Sequence, residues 1–328
     1  MFDKISKPLI SLVVPVFNAD KYLDSMLSGF EKQSIESVEY IFVDDGSTDG
    51  SWLILSAFKE RHSATTFLVK QENKGAYAAR NAGMAIAKGK YISFPDADDL
   101  VDPEMFSKLC SFCEANELDV ATGNSLILDE DGSRQVMYPS VDFTLGPGYE
   151  WYERCLEKRS GGFWHCICPS VYRLSWLKEN NFTFYEGFNG FDVPWTASIL
   201  MKAERFGFYD ENLYFYYRRQ GSLSLAKSNK QKVRTVDSLL VSTNLLLNLR
   251  ADVACKFSDS KFFDLLLIKR RQKLFHSLRE VDDRGDKKIC AKKIVNSRFF
   301  NKIYPLCSTG KEKLKHMLVY AWVLVLSL

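Results

Sequence analysis

Leu9–Phe17 (LISLVVPVF) is a nearly unbroken apolar, β-branched run, and it restricts the rest of the chain. It reads as a strand buried on both faces, and such a strand needs helices above and below it. The sequence supplies them. Ala19–Gln33 carries Tyr22, Leu23, Met26, Leu27 and Phe30 on one helical face. Strands are expected at Tyr40–Val43, Thr66–Val69, Tyr91–Phe94 and Asp119–Thr122, with helices at Ser51–Arg61, Ala76–Ala87 and Pro103–Asn116 between them. In the last of these helices Asp102 reads as the N-cap and Pro103 as the first helical residue. A strand–helix repeat of about 30 residues predicts an α/β fold with a mostly parallel, doubly wound sheet.

The chain has 328 residues, 46% of them hydrophobic, enough for about two domains with substantial cores. Residues 126–190 are rich in Gly, Pro and aromatics without a clean period, and 191–225 return to helix and strand. From Ala226 onward Leu-rich helical stretches, Leu239–Leu249 and Phe262–Phe275, alternate with basic clusters. The net charge of +3 hides a split at the same point. There are 22 Lys+Arg against 32 Asp+Glu up to Leu225, and 22 against 9 beyond it. The expected organisation is one α/β domain over 1–225, in halves of about 1–125 and 126–225, and a basic, mainly helical region over 226–328. Such an asymmetry points to an anionic partner for the second region. Cys110-x-x-Cys113 lies in an expected helix without a second pair, so the eight cysteines read as reduced structural thiols. No leader pattern opens the chain and no run reaches the roughly 18 apolar residues of a spanning helix. Cytoplasm is the expected location.

In an open parallel sheet, ligands bind beyond the carboxyl ends of the strands. The residues at those ends are Pro15-Val16-Phe17-Asn18, Asp44-Asp45-Gly46-Ser47-Thr48-Asp49, Asn73-Lys74-Gly75 and Asp96-Ala97-Asp98-Asp99. Carboxylates gathered on one rim repel one another unless a cation or hydrogen-bond donors offset them. Asp96, Asp98 and Asp99 suit a hard divalent ion with oxygen ligands; the same residues also fit a turn and a helix cap. Asp44-Asp45-Gly46-Ser47 likewise fits an ordinary turn, with Thr48 or Asp49 capping the next helix. No G-x-G-x-x-G follows the first strand, and neither a G-x-x-x-x-G-K-[ST] loop nor a G-x-S-x-G elbow occurs.

Taken in order, these four segments, with Ala79-Arg80-Asn81-Ala82-Gly83, closely resemble the family 2 glycosyltransferases, inverting enzymes of the GT-A fold. The resemblance is dense from about Ile10 to Pro103, patchy to about Ser224 and lost beyond. It implies transfer of a hexosyl or N-acetylhexosaminyl group from a nucleotide-diphosphate sugar, a UDP-sugar being favoured, with Mn²⁺ or Mg²⁺. It further implies that Pro15, Phe17 and Asp45 cradle the donor base with Asp44 nearby, and that Arg80 faces the nucleotide. Asp96 would lie toward the ribose, and Asp98 would hold the metal on the diphosphate. Residues 1–125 become the donor half and 126–225 the acceptor half.

Glu186–Trp195 resembles the segment that carries the family's general base, which Asp192 matches. Phe191 replaces the usual Glu before it, and an Asp capping the following helix is the alternative reading. Tyr216–Ser224 resembles the family's closing Tyr-Arg…Gly-Ser motif, and Trp164 and His165 either touch the acceptor or pack as an aromatic cluster. The resemblance and the basic region imply a glycan or lipid-linked acceptor of a bacterial cell surface. The expected place is the inner membrane face, held peripherally on anionic lipid by Lys311, Lys313, Lys315 and the apolar Met317–Leu328. That terminus could instead pack as a last core helix. The other readings are a nucleotide-sugar-binding protein without transfer activity and a metal-dependent nucleotidyltransferase. Nucleic acid is not an expected partner, since no recognition motif accompanies the charge.

Overall fold

The computed structural model describes residues 7–35, 37–158, 165–187, 192–218, 228–253, 261–307 and 310–327. The opening apolar run forms β1 (Ile10–Val16), buried along its whole length. It is followed by α1 (Asp20–Glu31), β2 (Val38–Asp44), α2 (Ser51–Arg61), β3 (Thr66–Lys70), α3 (Ala76–Ile86) and β4 (Tyr91–Ser93). These four strands lie in the order β3-β2-β1-β4, all parallel. Rings of Phe30, Tyr40, Phe42, Phe58 and Phe106 pack together beneath them, each burial contributing about 1.5–3 kcal/mol.

The chain continues through β5 (Leu100–Val101), α4 (Met105–Ala115), β6 (Val120–Asp129), β7 (Arg134–Val136) and β8 (Leu145–Gly146). Then come α5 (Gly148–Lys158), β9 (Ser170–Arg173), α6 (Leu174–Glu179), α7 (Asp192–Lys202) and β10 (Phe206–Arg218). The full sheet runs β3-β2-β1-β4-β9-β6-β10-β5, with β7 on β6 and β8 on β10. β9 is antiparallel to both its neighbours, while β10 runs parallel to β6. This is the expected α/β architecture with a mostly parallel central sheet.

Two details differ from expectation. α4 begins at Met105, and Pro103 stays outside it; Asp102 Oδ1 instead accepts the Glu104 N–H at 2.9 Å, closing a turn ahead of the helix. β6 extends to Asp129, well past Thr122. Its polar Asn124 is buried because its amide exchanges hydrogen bonds with the Tyr138 N–H and C=O and reaches Asp210.

The basic region is helical, as expected. It comprises α8 (Asn229–Val253), α9 (Lys261–Glu280), α10 (Arg284–Asn296), α11 (Phe299–Ile303), a 3₁₀ turn at Tyr304–Leu306 and α12 (Gly310–Ser327). Asp283 caps α10 by accepting the Asp286 N–H at 2.8 Å, and Asn229 accepts the Asp282 N–H at 2.8 Å. By internal contacts the chain forms two compact units, Met1–Gly187 with Ile199–Arg219, and Phe188–Ser198 with Gln220–Leu328. No helix among the described residues is long and apolar enough to cross a membrane.

Candidate active site

Parallel strands in register place their carboxyl ends side by side, and Val16 at the end of β1 faces Asp44 at the end of β2. Pro15 is buried within β1, whereas Phe17, one residue past it, is 50% exposed. An aromatic face left open at a strand end is available for stacking. Asn18, at φ 48°, turns the chain so that its Oδ1 accepts the Thr48 N–H at 2.8 Å, while its own N–H reaches Ser47 Oγ. The loops after β1 and β2 are thereby joined.

Asp44 and Asp45 point in different directions. Asp44 is fully buried; Oδ1 accepts the Ser47 N–H at 3.0 Å and Oδ2 lies 4.0 Å from Lys70 Nζ. Asp45 accepts the N–H groups of Lys74 at 2.8 Å and Gly75 at 2.7 Å, with Gln71 Nε2 as a third donor. Gly75 has φ 93°, a left-handed conformation that glycine adopts without a Cβ penalty. Asp45 therefore binds the β2 turn to the start of α3.

Arg80 projects from the first turns of α3 and is 4% exposed. Its guanidinium lies 5.4 Å from the Tyr77 ring and 5.8 Å from the Phe184 ring, and Nη2 donates to Asp96 Oδ1 at 2.5 Å. The other Asp96 oxygen accepts from Cys168 Sγ at 3.3 Å. This is a buried arginine on a partly exposed carboxylate, not a surface ion pair.

Asp99 is buried and accepts from Tyr214 Oη at 2.8 Å and from the Tyr217 N–H at 3.1 Å. Tyr214 Oη in turn accepts the Asp96 N–H at 3.1 Å. Burial first, then the charges of Asp96 and Asp98, hold the Asp99 carboxyl well above the usual carboxylate range despite those two donors. Burial and the nearby Asp99 likewise raise the Tyr214 phenol.

Asp98, between them, is half-buried. Among the described residues no group of three or more His, Cys, Asp or Glu is arranged to hold a metal ion.

The structure thus brings together seven of the sequence-expected residues, Pro15, Phe17, Asp44, Asp45, Arg80, Asp96 and Asp98, at one edge of the first unit. The eighth, Asp192, is the half-buried first residue of α7. Phe191 and Trp164 lie outside the described residues, as does the closing motif beyond Arg218. His165 Nε2 sits 2.5 Å from Tyr152 Oη, beside α5. Glu186 accepts from Asn81 Nδ2 at 2.9 Å, and the same Asn81 side chain exchanges two 2.8 Å hydrogen bonds with the Phe184 backbone.

Sequence reasoning missed Asn81, Cys168, Tyr214 and the structural part of Asp99. Asn81, Asp99 and Tyr217 stood in quoted motifs; Cys168 and Tyr214 carried no local signal.

The Glycosyl transferase family 2 model matches residues 11–192, which contain the strand-end motifs and Asp192 but not the closing Tyr216–Ser224 segment. Glycosyltransferase GlyG of Streptococcus pneumoniae serotype 4 is 29% identical over 287 residues, covering 85% of this chain and 93% of its own. The uncharacterized glycosyltransferase YibD of Escherichia coli K12 is 29% identical over 281 residues, 84% and 80% of the two chains. Among solved structures, S. aureus TarS 1-349 in complex with UDP-GlcNAc superimposes with a TM-score of 0.58 at 18% identity, over 89% of this chain and 90% of that one. The motif residues converge as the fold requires and the family model spans more than half of the chain, which therefore belongs to glycosyl transferase family 2.

Proposed function

We propose that the protein moves a hexosyl or N-acetylhexosaminyl group from a nucleotide-diphosphate sugar onto a hydroxyl of a bacterial surface glycan, with inversion at the anomeric carbon. The observation that carries this reading is the loop after β4. Its Asp96 is clamped between Arg80 and Cys168 and its Asp99 is anchored on β10, with Asp98 between the two. Phe17 and Pro15 border the base, with Asp44 and Asp45 shaping the turn beside it, and Arg80 and Asp96 lie toward the ribose. The UDP-GlcNAc held by TarS supports a UDP-sugar donor.

Asp98 would hold Mn²⁺ or Mg²⁺, which when bound neutralises charge on the diphosphate leaving group. Asp192 takes the proton from the acceptor hydroxyl as that oxygen attacks the anomeric carbon. The carbon–oxygen bond to the diphosphate breaks as the new glycosidic bond forms, and no covalent enzyme intermediate is needed. The acceptor is read as lipid-linked and the enzyme as peripheral on the inner membrane face, a placement supported by the basic composition of residues 226–328.

The test is a panel of nucleotide sugars with Mn²⁺, followed by thermal melting and by assay of the nucleotide released. One donor should stabilise the protein and yield an intact nucleoside diphosphate. Release of pyrophosphate would instead indicate a nucleotidyltransferase. Asp192→Asn keeps size but cannot accept the proton, and should lower transfer about 10²–10⁴-fold with donor affinity unchanged. Near-normal transfer in this variant would remove Asp192 from the role of base and direct attention to Glu186.

A further inference from the structure

α12 carries apolar residues on two opposite faces. On one, His316 and Val323 are buried; His316 Nε2 meets the Phe300 carbonyl at 3.0 Å, and the Tyr320 ring lies 4.4 Å from that of Phe300. This face docks the helix onto its own unit. On the other, Leu314, Met317, Leu318, Ala321 and Val325 are all exposed, Leu318 and Val325 by 63% and 69%. Their spacing places them on one stripe of the helix, about 17 Å long at 1.5 Å per residue. Lys313 and Lys315 are exposed and flank the stripe, one on each side, and no Asp or Glu occurs from Lys313 to Ser327.

Beside the Lys315 flank, α9 and α12 enclose a cleft of about 200 Å³. Its charged lining is Arg271, Arg279 and Lys315, with His276 at the rim and Phe275 and Val319 as apolar wall. Arg271 is 4% exposed, with Nη1 3.2 Å from Cys307 Sγ and 3.3 Å from His316 Nδ1. Arg279 lies 5.4 Å from the Trp322 ring. No Asp or Glu is among the described residues that line the cleft, and Glu280 pairs with His276 at 3.2 Å. Cations gathered without carboxylates favour an anion, and an apolar stripe with basic flanks favours a bilayer surface.

We propose that α9 and α12 form a seat for an anionic phospholipid, whose phosphate enters the Arg271–Arg279–Lys315 cleft while the α12 stripe lies among acyl chains of the same leaflet. The inference rests on the membrane-side placement proposed above and gives it a defined surface.

The test is sedimentation of the full-length protein with phosphatidylcholine vesicles, with and without phosphatidylglycerol. Wild type should pellet with the mixed vesicles and stay in solution with phosphatidylcholine alone. Met317→Glu/Leu318→Glu should weaken pelleting roughly tenfold or more, with the milder Leu318→Ser intermediate, since both side chains are exposed and the fold survives. Arg279→Gln/Lys315→Gln should abolish the preference for phosphatidylglycerol. Equal pelleting by wild type and both double variants would overturn the proposal. So would stabilisation by inorganic phosphate without vesicle binding, which would make the cleft a site for a soluble anion. A change of oligomeric state in Met317→Glu/Leu318→Glu, with no vesicle binding by wild type, would reassign the stripe to a contact between copies. Transfer onto a water-soluble acceptor, measured on the same preparations, reports on the enzymatic reading separately.

Discussion

Asp99 is buried beside two further carboxylates, and its pKa is raised above the ordinary Asp value. A raised folded-state pKa means that the native state binds the proton more tightly than the unfolded chain does. That contribution to stability is complete below about pH 4 and is lost as pH rises through the raised value. Asp99→Asn imitates the protonated form, so it should match wild type in acid and melt progressively higher than wild type as pH increases. A melting difference that does not change with pH would mean that Asp99 carries no such burden. Asp98→Asn tests the neighbouring role: Mn²⁺ and donor diphosphate should weaken together in calorimetry, with the fold intact, and unchanged Mn²⁺-dependent binding would remove Asp98 as the metal's ligand. At this scale the motifs were legible because each follows a strand, and strand ends converge in any parallel sheet. Their supports were not. Tyr214 and Tyr217 lie more than a hundred positions from Asp99, and no local pattern announces a hydrogen-bond donor at that distance. Cys168 looked like another buried thiol until the structure placed it against Asp96.

The packing of α3 on β1 explains the Gly at the end of Ala79–Gly83. A Cβ on Gly83 would overlap Val13 of β1, so only glycine lets α3 approach closely enough to lay Arg80 against Asp96. Gly83→Ala should cost about 1–3 kcal/mol by overpacking, lowering the melting temperature by about 2–4 °C per kcal/mol in a domain of this size. Donor affinity should fall with it, because Arg80 moves with the helix. An unchanged melting curve would show that the close approach is dispensable. The elements themselves were read well where the pattern was clear, as in the unbroken apolar run of β1 and the one-sided apolar face of α1. β6 was cut short at Thr122 because Gly123, Asn124 and Ser125 interrupt the apolar run; those residues are nonetheless strand, with Asn124 satisfied by the Tyr138 backbone. β9 was missed for a different reason: four residues in a region without a clean period leave no signature, yet they bridge β4 and β6.

The division of the chain into two compact units sets what truncation can do. Removing Gly310–Leu328 strips the buried His316 and Val323 from the second unit and uncovers Phe300. The truncated protein should show a lower-temperature melting step, while a bound nucleotide sugar should still raise the step that belongs to the first unit. Loss of both steps together would mean that the units unfold as one. The charge split near residue 225 marked the basic region in the sequence, but α12 could not be assigned from it, because apolar residues on both of its faces satisfy docking and exposure equally. The anchoring of Asp99 on β10 bears on how the molecule is made. Tyr217 is synthesised 118 positions after Asp99, which at about 5–20 residues per second leaves roughly 6–24 s before the two can meet. During that interval β6 waits first for β9 and then for β10, and while Arg80 can already hold Asp96, Asp99 lacks its donors on β10. An N-terminal piece ending before β9 would have the motifs but no finished sheet, so the last strand on the ribosome completes the site that the first strands began.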